Sequence, residues 1–125
     1  MEKPIIIKKS SIDGKGVFAN KDFKKGKIIL EWNLSKTLTK EQAEKNKNKD
    51  YITFLKGKYV LMQSPEKYIN HSCNANTFAK NFCDIAKRNI KKGEEITANY
   101  IEEVPKGFFM KCNCKSKNCK GFIRK

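Results

Sequence analysis

The apolar positions come in short runs broken by glycine and lysine turns. Ile5-Ile6-Ile7 begins a first strand over residues 5–8, and the polar stretch 11–16, with Gly14 and Gly16, is a turn before Val17-Phe18-Ala19. Lys24-Lys25-Gly26-Lys27 is a second turn and leads into a strand over residues 28–32. Residues 51–54 and 58–62 predict a hairpin turning at Gly57. Residues 82–87 and 95–100 predict two further strands on either side of the turn Lys91-Lys92-Gly93. Residues 39–48 break the pattern: Thr39 is a candidate N-cap ahead of Glu41 and Gln42, yet almost no apolar stripe follows. That stretch predicts a short exposed helix or an irregular insert. Short strands, glycine turns and little helix predict a mainly β domain, and no internal repeat is visible.

Length and charge narrow the class. At 125 residues, 38% hydrophobic and 33% charged, the chain suits one modest core. No apolar run approaches the ~20 residues of a membrane-spanning helix, and the start opens into a strand-like run with no signal-peptide architecture. The expectation is a small, soluble, intracellular domain with no membrane partner. Lys plus Arg number 28 against 13 Asp plus Glu, a formal charge of +15. Such a charge invites a nucleic-acid reading. Its make-up weakens that reading, because all but Arg88 and Arg124 are lysines, and arginine is the residue that forks onto phosphates and guanine edges. Abundant Lys, Asn and Ile are what an AT-rich genome encodes. A weak, salt-sensitive association with nucleic acid is expected either way.

The cysteines carry a sharper signal. Cys112, Cys114 and Cys119 form a C-x-C-x4-C cluster, and Cys73 and Cys83 stand apart. Thiolates converging around so small a loop suit a tetrahedral soft metal, with zinc the first expectation. An odd count argues against a disulfide framework. Three ligands leave the tetrahedron one short, and Cys73, Cys83 or His71 is placed by sequence to supply the fourth.

Three segments are informative together: Asn70-His71-Ser72-Cys73-Asn74-Ala75-Asn76, then residues 90–100 ending Glu94-Glu95-Ile96-Thr97-Ala98-Asn99-Tyr100, then the cysteine cluster followed by Lys120-Gly121-Phe122-Ile123. In this order, with Gly14-Lys15-Gly16 near the start, they resemble a SET domain with a zinc-binding post-SET tail, the family of protein-lysine methyltransferases. The resemblance implies a fold of small β-sheets, of β-clip type, closed by a C-terminal pseudoknot. It places the SET domain at residues 1–104 and the post-SET tail at 105–125. It implies S-adenosyl-L-methionine bound on one face and the target lysine entering from the other through a narrow channel.

Residue by residue, the resemblance makes Tyr100 the catalytic tyrosine, held near the sulfonium and acting by position and electrostatics. It gives cofactor binding to the turn Gly14, Lys15 and Gly16, to Asn70 through the methionine amine, to His71 through its backbone, and to Phe122 through the adenine or the lysine channel. Tyr51 and Ala98 become channel residues. Cys73 joins Cys112, Cys114 and Cys119 as ligands of one structural Zn2+. Cys83 is left over as a small buried hydrophobe, and Tyr68 as a core residue.

The chain departs from the family at Ala98 and Asn99, where an aromatic residue and an aspartate are common. A small residue at 98 leaves room for methylated amines, so capacity beyond monomethylation is expected. The expected partner is a protein with an accessible lysine, a histone or another basic DNA-associated protein, recognised by this domain alone, with a partner, or as a homodimer. A +15 protein repels a basic tail unless acids line the channel mouth, and Glu102 and Glu103 are the candidates. The alternative is a catalytically silent, zinc-stapled module on chromatin or nucleic acid. The cofactor residues favour the enzyme, since a silent module has no use for them. Free-standing domains this small suggest a cytoplasmic place in a bacterium, or the host nucleus for a viral protein or secreted effector.

Overall fold

The computed structural model describes residues 3–48, 51–102, 109–112, 114, 117, 119 and 121–124. The first sheet has four strands and joins residues from both halves of the chain. β1 (Ile5–Lys9) runs antiparallel to β2 (Lys15–Ala19), with Ile5 opposite Ala19 and Ile7 opposite Val17. Their turn is closed by the Ser10 N–H donating to the Gly14 carbonyl at 2.8 Å, and Gly14 takes the left-handed φ of +43° that the turn needs. β10 (Glu95–Ala98) pairs antiparallel with β2 on one side and parallel with the two-residue β7 (Asn70–His71) on the other.

A second sheet sets β9 (Cys83–Ala86) between β3 (Ile28–Glu31) and β8 (Thr77–Lys80). A third sets β6 (Lys58–Leu61) between β4 (Thr37–Leu38) and β5 (Ile52–Leu55), and the expected hairpin turns at Lys56 and Gly57. The tail forms its own antiparallel pair, β11 (Phe109–Lys111) with β12 (Phe122–Arg124). The expected boundary near residue 104 lies outside the described residues.

The main core is the meeting of the first two sheets: Val17, Ala19, Phe23, Ile29, Ile69, Ala86, Ile90, Ile96 and Ala98 are buried together. Each large aliphatic side chain there contributes about 1.5–3 kcal/mol of burial. A smaller cluster of Trp32, Val60 and Met62 ties the second sheet to the third. At the β8–β9 turn both Asn81 and Phe82 take positive φ, +52° and +59°. Asparagine tolerates this and phenylalanine does not, so Phe82 is held there by its packing, edge-on to Trp32 with ring centroids 6.0 Å apart.

Residues 40–45 form α1 (Lys40–Lys45), a short exposed helix that buries only Ala43. Thr39 caps it as expected, accepting from the Gln42 N–H at 3.1 Å while its own N–H donates to Gln42 Oε1 at 2.9 Å. Four predicted strands end early, with β6 stopping at Leu61 and β9 at Ala86. β3 stops at Glu31, and β10 stops at Ala98 because Tyr100–Glu102 is a 3₁₀ turn. β4, β7, β8 and the tail pair were outside the pattern-based expectation. Two-residue strands such as β4 and β7 have no periodicity to read.

Candidate active site

The parallel pairing of β7 with β10 sets Asn70 beside Thr97 and His71 beside Ala98, and the Ser72 N–H extends it to the Ala98 carbonyl at 3.0 Å. Residues 70–76 and 95–100 therefore lie side by side. Asn76 locks them: its amide donates to the Glu95 carbonyl at 2.9 Å and its Oδ1 accepts the Thr97 N–H at 2.9 Å. Asn76 is 2% exposed, so these bonds replace the water it has lost.

Asn70 has a different task. Its Nδ2 points at three acceptors, the Asp13 and Lys15 carbonyls at 3.1 Å each and Glu95 Oε2 at 2.9 Å. Glu95 in turn accepts from the Ser10 hydroxyl at 2.7 Å. One side chain thus holds the glycine turn against β10. Gly16 is needed for that closeness, since a Cβ there would stand 2.4 Å from Glu95 Oε2.

His71 joins two parts of the site. Its Nδ1 accepts the Tyr100 N–H at 3.0 Å, which leaves the proton on Nε2, 3.4 Å from Cys73 Sγ. Burial pushes the imidazole down to about 4, so it is neutral at physiological pH. The Tyr100 hydroxyl donates to the Ile69 carbonyl, and its ring meets His71 edge-on at 5.3 Å.

The Sγ atoms of Cys73, Cys112, Cys114 and Cys119 all lie within 4.8 Å of one another. Cys73 to Cys112 is 3.9 Å and Cys112 to Cys119 is 3.5 Å. A tetrahedral zinc thiolate, with bonds of about 2.3 Å, needs sulfurs about 3.8 Å apart, so the donor set fits such an ion. The Cys73 N–H faces Cys114 Sγ at 3.5 Å and the Gly121 N–H faces Cys119 Sγ at 3.3 Å, contacts that suit sulfur carrying negative charge. Burial, with the adjoining thiols of Cys114, Cys119 and Cys73, pushes the Cys112 thiol up, a shift that a bound cation reverses. Cys83 stands apart on β9, half-buried where a buried residue was expected, and its thiol faces the Asn81 carbonyl.

Two clefts flank Tyr100. The larger, about 840 Å³, is lined by Gly14, Lys15, Tyr68, Asn70 and His71, and by Met110, Lys111, Cys112 and Ile123 from the tail. The smaller, about 420 Å³, is lined by Ile52, Thr53, Met62, Ile69 and Ala98, with two carboxylates, Glu66 and Asp84. Tyr51, Lys67 and Tyr100 border both. Gly16 lies behind the larger cleft rather than on its wall. Phe122 is 42% exposed and lines neither cleft; its neighbour Ile123, 1% exposed, faces inward as strand alternation requires. Glu103 and the Glu102 side chain lie outside the described residues.

Sequence reasoning missed Met110, Ile123, Glu66 and Asp84, and read Tyr68 as core alone. Asp84 left no trace in the sequence, because the alternation of Cys83 and Ile85 sets it on the polar face while the fold buries it.

Residues 14–101 match the SET domain family. The Variant-silencing SET domain-containing protein of Plasmodium falciparum is 32% identical over 96% of the chain, which spans 6% of that protein. The H3 lysine-36-specific histone-lysine N-methyltransferase of Candida glabrata is 28% identical over 95% of the chain, which spans 19% of it. Human histone-lysine N-methyltransferase 2D is also 28% identical over 95% of the chain, which spans 2% of it. The chain is thus similar to a small part of much longer proteins. Among solved structures, a candidate histone methyltransferase of Plasmodium falciparum superposes with a TM-score of 0.57 and 26% identity, covering 80% of this chain and 95% of that one. With its motif residues gathered on adjoining strands and its family match covering most of its length, this chain belongs to the SET-domain family.

Proposed function

We propose that the chain is an S-adenosylmethionine-dependent protein-lysine N-methyltransferase. The larger cleft takes the cofactor, the smaller one the target lysine, and the four cysteines a structural Zn2+. The observation that carries this reading is the shared wall. Tyr51, Lys67 and Tyr100 border both clefts, so groups held on opposite sides meet beside Tyr100. When bound, the cofactor supplies a methyl group made electrophilic by a positively charged sulfur.

The chain's own residues do the rest. The Asn70 amide N–H groups are taken by the glycine turn and Glu95, which directs its carbonyl oxygen outward as an acceptor for the methionine ammonium. Neutral His71 fixes the Tyr100 backbone without adding charge beside a cationic sulfur. The Tyr100 proton is committed to the Ile69 carbonyl, so the phenol serves as a fixed dipole whose oxygen accepts, and it is not the base. Tyr51 and Tyr100 on the shared wall would orient a substrate amine, its proton already lost to solvent, in line with the methyl group that the cofactor would supply. Cys73, Cys112, Cys114 and Cys119 would hold the Zn2+ with four thiolates, leaving no ligand position for substrate, so the metal would serve to pin the tail across the larger cleft.

The relatives named as histone-lysine methyltransferases support a histone or another basic protein as substrate. The comparisons lend no support to a homodimer or to nucleic-acid association.

The test is to incubate the zinc-loaded protein with S-adenosylmethionine and a panel of histones and basic DNA-binding proteins, reading methyl additions by intact-mass spectrometry. Transfer to lysine is expected, falling about 100-fold in Tyr100→Phe. Absence of cofactor binding by calorimetry overturns the reading.

A further inference from the structure

We propose that the smaller cleft is a binding site for a methylated ammonium, one carrying one or two methyl groups and at least one N–H, held by Glu66 and Asp84. This deepens the reading that a lysine enters that cleft, and assigns the two acids as further specificity-determining residues.

Glu66 is 4% exposed and Asp84 1%, yet both line the cleft together with Tyr51, Tyr100 and Ala98. Each uses one oxygen structurally. Asp84 Oδ2 accepts the Trp32 indole N–H at 3.1 Å, and Glu66 Oε2 accepts the Asn33 N–H at 2.7 Å. Among the described residues no donor reaches the other oxygens, Asp84 Oδ1 and Glu66 Oε1. Nor does a cation pair with either acid, since the ion pair found among the described residues is Lys45 with Glu41 on the surface. Lys67 borders the cleft, but its Nζ lies over aromatic rings, 5.0 Å from the Tyr68 centroid and 5.7 Å from that of Tyr51.

Two carboxylates buried without a cation are costly unless a cation visits. Burial, with Glu66 adding to it, raises Asp84 to about 7, so a bound cation draws that carboxyl towards its charged form. The remaining features select the cation. An N–H on the ligand donates to a carboxylate, whereas a fully substituted nitrogen has none to give. N-methyl groups lie against the Tyr51 and Tyr100 rings, as alkylated ammonium does on aromatic faces. Ala98 puts only a methyl group on the cleft wall, so no bulky side chain at that position opposes those N-methyl groups.

The probe is N,N-dimethylbutylammonium, a mimic of the dimethyllysine side chain, with N,N-dimethylbutyramide as its neutral counterpart. Both are titrated by calorimetry into the zinc-loaded protein and into Glu66→Gln and Asp84→Asn, variants that keep an acceptor for Asn33 and Trp32. The ammonium is expected to bind at least about tenfold more tightly than the amide, each variant to lose about tenfold, and the double variant to lose the preference. Ala98→Phe, which fills the cleft and leaves its charges alone, is expected to abolish binding of both probes. An amide that binds as well as the ammonium, or a preference that survives the double variant, overturns the proposal. S-adenosylmethionine titrated into the same samples keeps the two readings apart. Cofactor bound without ammonium preference sinks this site alone, and ammonium preference without cofactor binding sinks the methyltransferase instead.

Discussion

Gly16 and Gly14 stand two residues apart and matter for different reasons. Gly14 has a left-handed φ of +43° with open space around it, so Gly14→Ala strains the backbone by about 1 kcal/mol and displaces nothing. At Gly16 the neighbour is the Glu95 carboxylate, which also anchors Ser10 and Asn70. Gly16→Ala is expected to push Glu95 aside and weaken S-adenosylmethionine binding about tenfold by calorimetry, with Gly14→Ala weakening it less. Asp84 gives a prediction in pH. Its carboxyl rises from 3.8 to about 7 on burial, so the native state holds that proton more tightly than the unfolded chain does. Its contribution to stability therefore falls as pH climbs from about 4 to about 7 and is level above that. Asp84→Asn removes the dependence. By urea unfolding, the variant should gain on the native protein by a few kcal/mol between about pH 5 and about pH 8, and an unchanged gap would refute the assignment.

At the scale of elements, α1 is lightly anchored, with Ala43 its one buried residue. Thr39→Ala removes the side-chain arm of the capping box and should cost about 1 kcal/mol, seen as faster amide exchange within α1 while cofactor affinity holds. The same element shows what a sequence makes legible. A cap is a local hydrogen bond among neighbours, so Thr39 and Gln42 announce it. The hairpin at Gly57 and the turn at Gly93 are legible for the same reason, being set by glycine within a few residues. Asn70, His71, Ala98 and Tyr100 were legible only through their order, as parts of a family pattern. That β7 is a strand was hidden, because two residues carry no period and their partner lies more than twenty residues on. Glu66 and Asp84 were hidden more deeply. Strand alternation with Cys83 and Ile85 sets Asp84 on the polar face, and nothing near Glu66 in sequence says that the fold buries it.

For the whole molecule the decisive join is between tail and body. Met110, Lys111, Cys112 and Ile123 line the larger cleft, and the cysteine cluster fastens them to Cys73 beside His71. Removing the proposed zinc with a chelator should therefore lower the melting temperature by at least about 10 °C and weaken cofactor binding in the same titration. Cys83→Ser, outside the cluster, should leave both unchanged. Stability lost with cofactor affinity intact would mean that the tail plays no part in the cleft.

The Ser10 hydroxyl meets Glu95 across 85 positions of chain, and Cys73 meets Cys112 across 39. A ribosome makes the glycine turn long before it makes Cys119. Until then the nascent chain carries Asn70 and Tyr100 without the wall that completes their cleft. Completing this cleft thus waits for a residue as late in synthesis as Cys119, and a polypeptide halted short of Cys119 should fold much of its core while failing to bind S-adenosylmethionine by calorimetry.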